Sequence, residues 1–247
     1  MATDTTLIAQ RRTQLRLELL ARREVFACDP HFATSEAALL ASLESVLQQL
    51  ETQCLGLYWP IRGEFNASLL GRPDHRPAQA SLVPCQGSNA ACSLALKPDG
   101  VVASRRHSPS YDSSSRLASG LDGGAIKRHL SPDTTLALPF AQRSPLQMHY
   151  RLWDGTPPSL RDECGIPSVD TQPIVPDVVL VPCVGFTRTG HRLGFGAGYF
   201  DRWMAAHPHV TAVGVAWSFC EITDEDLAPQ PHDQALMAVV TERGVVS

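Results

Sequence analysis

The sequence predicts an α/β domain in which helices pack on a mostly parallel central sheet, and three observations carry that prediction. Short apolar runs recur at 55–59, 136–140, 148–153, 178–184, 212–217 and 238–241, each of a length that suits a buried strand. Segments of helical period precede and separate them, as alternating α/β architectures require. With 247 residues, 43% of them hydrophobic, the chain can bury one substantial core and is short for two. We therefore expect a single three-layer domain over 1–247, its sheet flanked by helices.

The first predicted helix covers 11–26. Leu15, Leu19 and Phe26 share one face, while Arg12, Arg16 and Arg23 line an adjacent one at i, i+4 and i+11. A second helix follows Ser35, where Leu39, Leu40, Leu43, Val46, Leu47 and Leu50 recur at three and four residues and Glu36 suits the first turn. The run at 55–59 is stopped by Pro60. Between the runs at 178 and 212 lies a helix over Tyr199–Ala206, stopped by His207 and Pro208; His207 and His209 are read as surface residues and not as ligands. From about 71 to 133 the chain is rich in Ser, Pro, Gly, Arg and His, with strand-like patterning only at 91–96 and 100–103. That composition predicts a long irregular insertion.

Bulk properties exclude several classes of function. A formal net charge of −4 gives no positive excess to hold a polyanion. The first ten residues lack the basic-then-apolar pattern of a secretory leader, and no stretch approaches the roughly 18 apolar residues of a membrane helix. A soluble, cytoplasmic protein without nucleic-acid or membrane partners is expected, acting as a monomer. Its 7 cysteines, Cys28, Cys54, Cys85, Cys92, Cys164, Cys183 and Cys220, include no C-x-x-C pair and read as buried free thiols.

The stretch richest in chemical content follows the run at 178–184. A polar turn leads to Arg192, then to Gly194, Gly196 and Gly198 at alternate positions, then to the helix at Tyr199. Glycines allow successive backbone N–H groups to converge on an anion at the positive end of the following helix, a geometry that suits polyphosphate. Arg192 can add charge-assisted bonds, and Asp201 can reach a magnesium ion bridging phosphates. The spacing matches neither the lysine-containing phosphate loop nor the dinucleotide fingerprint.

The segment Arg-Leu-Gly-Phe-Gly-Ala-Gly-Tyr-Phe-Asp-Arg at 192–202 closely resembles the signature of the 5-formyltetrahydrofolate cyclo-ligase family. Other parts agree in order: Arg12 to Arg16 with the family's basic helix, Tyr58 to Glu64 with its glutamate turn, and 173–182 with the strand entering the signature. His232-Asp233 and the residues from Val239 to Glu242 resemble its carboxy-terminal segment. The resemblance covers about 10–70 and 135–246 and implies a Rossmann-like α/β fold. It also implies that Mg-ATP drives closure of 5-formyltetrahydrofolate to 5,10-methenyltetrahydrofolate. On this resemblance Arg192 and Tyr199 stand at the chemistry. ATP is held by Arg12, Arg16, Arg192, Leu193, Gly194, Phe195, Gly196, Ala197, Gly198, Tyr199 and Phe200. The reduced folate is held by Trp59, Glu64, Phe195, Gly196, Ala197, Gly198 and Tyr199, with Trp59 and Tyr199 as apolar walls, and magnesium by Asp201 and Asp233.

Three departures from the family pattern stand out. Arg12 replaces the usual lysine, residues 166–169 lack the usual Glu before Pro, and the insertion follows the glutamate turn. Two other readings follow from these features. One is a non-catalytic relative that binds folate or nucleotide as a sensor or partner subunit; the other is an interaction or RNA-binding protein working through its Arg- and Ser-rich insertion.

Overall fold

A computed structural model describes residues 4–67, 130–131 and 133–247. The predicted insertion, its strand-like segments at 91–96 and 100–103, and Cys85 and Cys92 lie outside the described residues, apart from Leu130, Ser131 and Asp133 at its end. The chain opens with α1 (Asp4–Phe26) and α2 (Phe32–Gln49). The main strands are β1 (Cys54–Gly56), β2 (Thr135–Arg143), β3 (Leu146–Trp153), β6 (Pro173–Ile174), β7 (Val178–Pro182), β10 (Thr211–Val215), β11 (Ala238–Thr241) and β12 (Gly244–Val246). Two small ribbons, β4 (Leu160–Arg161) with β5 (Pro167–Ser168) and β8 (Gly185–Phe186) with β9 (Arg192–Leu193), stand beside the sheet. Helix α3 covers Tyr199–Ala206 and α4 covers Asp224–Leu227.

The eight-stranded sheet has the order β12-β11-β10-β7-β1-β2-β3-β6. From β11 through β10, β7 and β1 to β2 all neighbours run parallel, and antiparallel pairs close both edges. This is the mostly parallel, helix-flanked sheet that the sequence predicts. The central strands are apolar on both faces, as in β7, where Val178, Val179, Leu180 and Val181 are all buried. Helix α2 packs on β11 and β12, and α3 on β3. Leu39, Leu40, Leu43 and Leu47 of α2 enter the main core. Among the described helices, none is long and apolar enough to cross a membrane.

Four local expectations need correction. Helix α2 starts at Phe32 and not after Ser35, because the Phe32 ring packs edge-on against Phe26 and at a tilt against Trp217, which draws the preceding turn into the helix. The strand expected at 55–59 ends at Gly56, where the chain turns so that the Tyr58 hydroxyl can donate to Phe65 O (2.8 Å). The five described cysteines are free, but Cys28 is exposed in the turn between α1 and α2 and Cys164 is half-buried. His207 is half-buried, its ring stacked on Trp203 at 4.3 Å, while His209 is exposed.

Candidate active site

The glycine turn is set by its anchors. Leu193 of β9 is 1% exposed and packs with Leu19, Leu20, Val184 and Leu227 in a small second core, which fixes α1 and α4 against the start of the turn. Beyond Leu193 the chain surfaces: Gly194 is half-buried and Phe195, Gly196 and Ala197 are exposed. Gly198 caps α3 with φ 66°, a left-handed conformation that costs an L side chain about 1 kcal/mol or more. Gly196, at φ 101°, lies against Arg16, whose Cζ would be 3.4 Å from any added Cβ. The amides of residues 195–198 donate to no described residue. The turn is therefore open and stands at the positive end of a helix.

Three arginines from two elements meet there. Arg16 of α1 donates from Nε to Gly194 O (2.7 Å) and has no carboxylate partner among the described residues. Burial, then the neighbouring charge of Arg12, holds its pKa below the ordinary arginine value. Arg12, one turn earlier, donates to Leu227 O (2.9 Å), Ala228 O (3.0 Å) and both oxygens of Asp233. Burial pushes Asp233 upward, but the bonds from Arg12 and the Gln230 amide outweigh it, so the carboxyl is held below its usual range. Arg192 on β9 is buried and meets Asp201 at 3.0 Å, while also donating to Gln234 O (3.3 Å). Asp201, in the first turn of α3, accepts the Gln234 amide as well.

Tyr199 donates from its hydroxyl to Gln142 O (3.0 Å) and lies 3.3 Å from Cys164 Sγ. Burial first, and then the Cys164 contact, push its pKa up to about 12. It is consequently a protonated donor at neutral pH and no base. Phe200 is half-buried beside Arg192, whose Cζ is 5.9 Å from its ring centroid.

The residues that the resemblance assigns to the folate form a separate group. Glu64 is buried, with Oε2 accepting the Ile61 amide (3.0 Å) and Oε1 facing Arg23 Nη1 at 3.8 Å. Burial raises its pKa to about 7 against the opposing pull of Arg23. Trp59 is half-buried against the main core. Among the described residues no hydrogen bond or ion pair joins Glu64 or Trp59 to the glycine turn. Nor does any group of three or more His, Cys, Asp or Glu there form a metal cage.

The sequence did not disclose the surroundings of these residues. Arg202, the last residue of the 192–202 segment, folds back from α3 to donate to Ala197 O (2.6 Å); its position one turn inside a helix that follows the glycines was the available signal. The partners of Arg12, Arg192 and Glu64 carried no local signal.

Comparison with known proteins bears on this geometry. Residues 163–242 match the model of the 5-formyltetrahydrofolate cyclo-ligase family. The 5-formyltetrahydrofolate cyclo-ligase of Mycolicibacterium smegmatis is 39% identical over 72 residues, 29% of this chain and 37% of that protein. That of Escherichia coli K12 is 34% identical over 80 residues, 30% of this chain and 43% of that protein. The matched stretch thus spans less than half the length of these curated relatives. In fold, a 5,10-methenyltetrahydrofolate synthetase from Mycoplasma pneumoniae superposes with a TM-score of 0.56 at 17% identity, covering 94% of this chain and 98% of that one. The Aquifex aeolicus 5,10-methenyltetrahydrofolate synthetase gives 0.57 at 21% identity, covering 95% and 91%.

Proposed function

We propose that this chain, a relative of the 5-formyltetrahydrofolate cyclo-ligases in sequence over residues 163–242, closes 5-formyltetrahydrofolate to 5,10-methenyltetrahydrofolate at the expense of ATP. The observation that carries the reading is the open glycine turn at the head of α3, with Arg16 laid along it and, among the described residues, in no ion pair with a carboxylate. Such a turn receives a polyphosphate through main-chain amides and a fixed cation.

In the reaction, the formyl oxygen of the folate attacks the γ-phosphorus and ADP leaves. The amine at position 10 then adds to the activated carbon and loses its proton as inorganic phosphate departs. An amide oxygen is a poor leaving group until it is phosphorylated, so the protein need only align two substrates and stabilise phosphate charge. Arg16, Arg192 and Arg202 supply positive charge around the turn. Tyr199 donates a hydrogen bond at its mouth. Glu64 takes the folate ring system, and Trp59 gives an apolar wall. Magnesium, when bound, would neutralise phosphate charge. Asp201 fits that role through Oδ2, which has no described partner; Asp233, gripped by Arg12 at both oxygens, fits only when Arg12 turns toward phosphate.

The pairing of Arg12 and Arg192 with Asp233 and Asp201 also favours a second reading, a binding protein that does not turn over. One assay separates the two. Purified protein given 5-formyltetrahydrofolate, ATP and magnesium should gain the near-ultraviolet absorbance of the methenyl product; binding of both ligands with no such gain rejects the enzyme and retains the second reading.

A further inference from the structure

Beside Glu64 lies a guanidinium that the scheme above leaves unused. Arg23, near the carboxy-terminal end of α1, has a side chain 2% exposed, and that of Glu64 is 3% exposed. Arg23 Nη2 donates to Cys183 O. Its Nε and Nη1, and Glu64 Oε1 opposite, have no hydrogen-bond partner among the described residues. Buried donors facing a buried acceptor at 3.8 Å are expensive, and an apolar side chain of similar volume would fill the same space at lower cost. The turn has ties besides this pair and the Ile61 amide bond to Glu64 Oε2. The Trp217 indole donates to Gly63 O (3.0 Å), the Tyr58 hydroxyl donates to Phe65 O (2.8 Å), and Arg62 meets Glu24 at 3.4 Å.

We propose that Arg23 is a positioning residue for the folate site: its guanidinium, 3.8 Å from Glu64 Oε1, supplies the buried counter-charge that holds that carboxylate in place beneath the 61–64 turn. The proposal rests on the reading of Glu64 as a folate contact. The charged and titratable groups facing this carboxylate are Arg23 from α1 and Tyr58 from the chain just beyond β1, with Cys183 after β7 and Cys220 from the 3-10 turn Ser218–Cys220 on the far side of Arg23. Arg23 is the cation among them, and it opposes the effect of burial on Glu64. Without it, burial leaves the carboxyl protonated at neutral pH, and an acid that carries its own proton accepts fewer N–H bonds from a folate ring.

The test is the dissociation constant for 5-formyltetrahydrofolate, read by tryptophan fluorescence from pH 6 to 9. It compares the full chain with Arg23→Gln, Arg23→Lys, Glu64→Gln and the double variant Arg23→Gln/Glu64→Gln. Affinity of the unaltered protein should fall as pH drops through the Glu64 midpoint. Arg23→Gln should move that midpoint up by about one unit and weaken binding about fivefold at neutral pH, approaching about tenfold at pH 6, and Arg23→Lys should lie between. In the Glu64→Gln background, Arg23→Gln should add no further loss. An unmoved midpoint, or an equal loss in both backgrounds, overturns the proposal. If Glu64→Gln binds folate as the unaltered protein does, the assignment of Glu64 itself fails, a different and recognisable result. Should Arg23→Gln not fold, Arg23→Lys decides: its Glu64 carboxyl midpoint, followed by 13C resonance in the ligand-free protein, must rise together with the binding midpoint. A rise in one alone refutes the idea.

Discussion

At the glycine turn Arg192 meets Asp201 at 3.0 Å, and Arg12 grips Asp233 while donating to two further carbonyls. Beneath the 61–64 turn, Arg23 stops 3.8 Å from Glu64 with donors to spare on one side and an acceptor on the other. Of the first two pairs, that of Arg12 is saturated and that of Arg192 leaves only Asp201 Oδ2 without a described partner; they tie α1 to the 227–233 loop and β9 to α3. The third is deeper yet incomplete. Saturated pairs act as clamps, whose loss is felt mainly as stability. An incomplete buried pair spends stability on charge, and its loss is felt mainly as a change in protonation.

The largest expected effect breaks a clamp. Arg192→Met leaves Asp201 without its cation and Gln234 O without a donor, and should cost about 3 kcal/mol in urea unfolding, with a matching collapse of methenyl formation. Wild-type stability in this variant would place Arg192 outside the clamp class. The next effect sharpens the contrast through pH. Between the ordinary value of 4.5 and about 7, folded Glu64 holds a proton that the unfolded chain has released. Raising pH through that window therefore destabilises the fold by about 1.4 kcal/mol per unit from this group alone. Unfolding curves of Glu64→Gln should lack that component of the slope, and parallel pH profiles for the two proteins would deny Glu64 its raised pKa. The smallest effect concerns Arg12→Lys, which keeps the charge and loses the fork that spans Leu227 O, Ala228 O and Asp233. A loss of about 1 kcal/mol by thermal melting is expected; none would mean that charge alone, without fork geometry, holds the 227–233 loop.

What could be read from the sequence was local. The run of valines at β7, the alternate glycines and the helix at Tyr199 are decided by neighbours along the chain, and the structure has them where the pattern puts them. The arginine face of α1 was equally plain, since Arg12, Arg16 and Arg23 fall on one side by helical geometry alone. What each arginine meets was not. Arg12 pairs with a carboxylate 221 residues away, and Arg23 donates to a carbonyl 160 residues away. Helical periodicity says which way a side chain faces and nothing of what the sheet order brings opposite. The early start of α2 was hidden for a related reason, because the Phe32 ring is recruited by Trp217, a residue from the other end of the chain.

The continuity of α1 through Arg12, Arg16 and Arg23 sets a fixed gauge between the two halves of the candidate site. An α-helix advances 1.5 Å per residue, so the eleven steps from Arg12 to Arg23 separate the guanidinium stem beside the glycine turn from the one beneath Glu64 by about 16 Å along one rod. Leu19 and Leu20 pin that rod between them. One residue added between Arg16 and Arg23 would swing one end by about 100° relative to the other, taking the two binding halves out of phase even if each stayed locally intact.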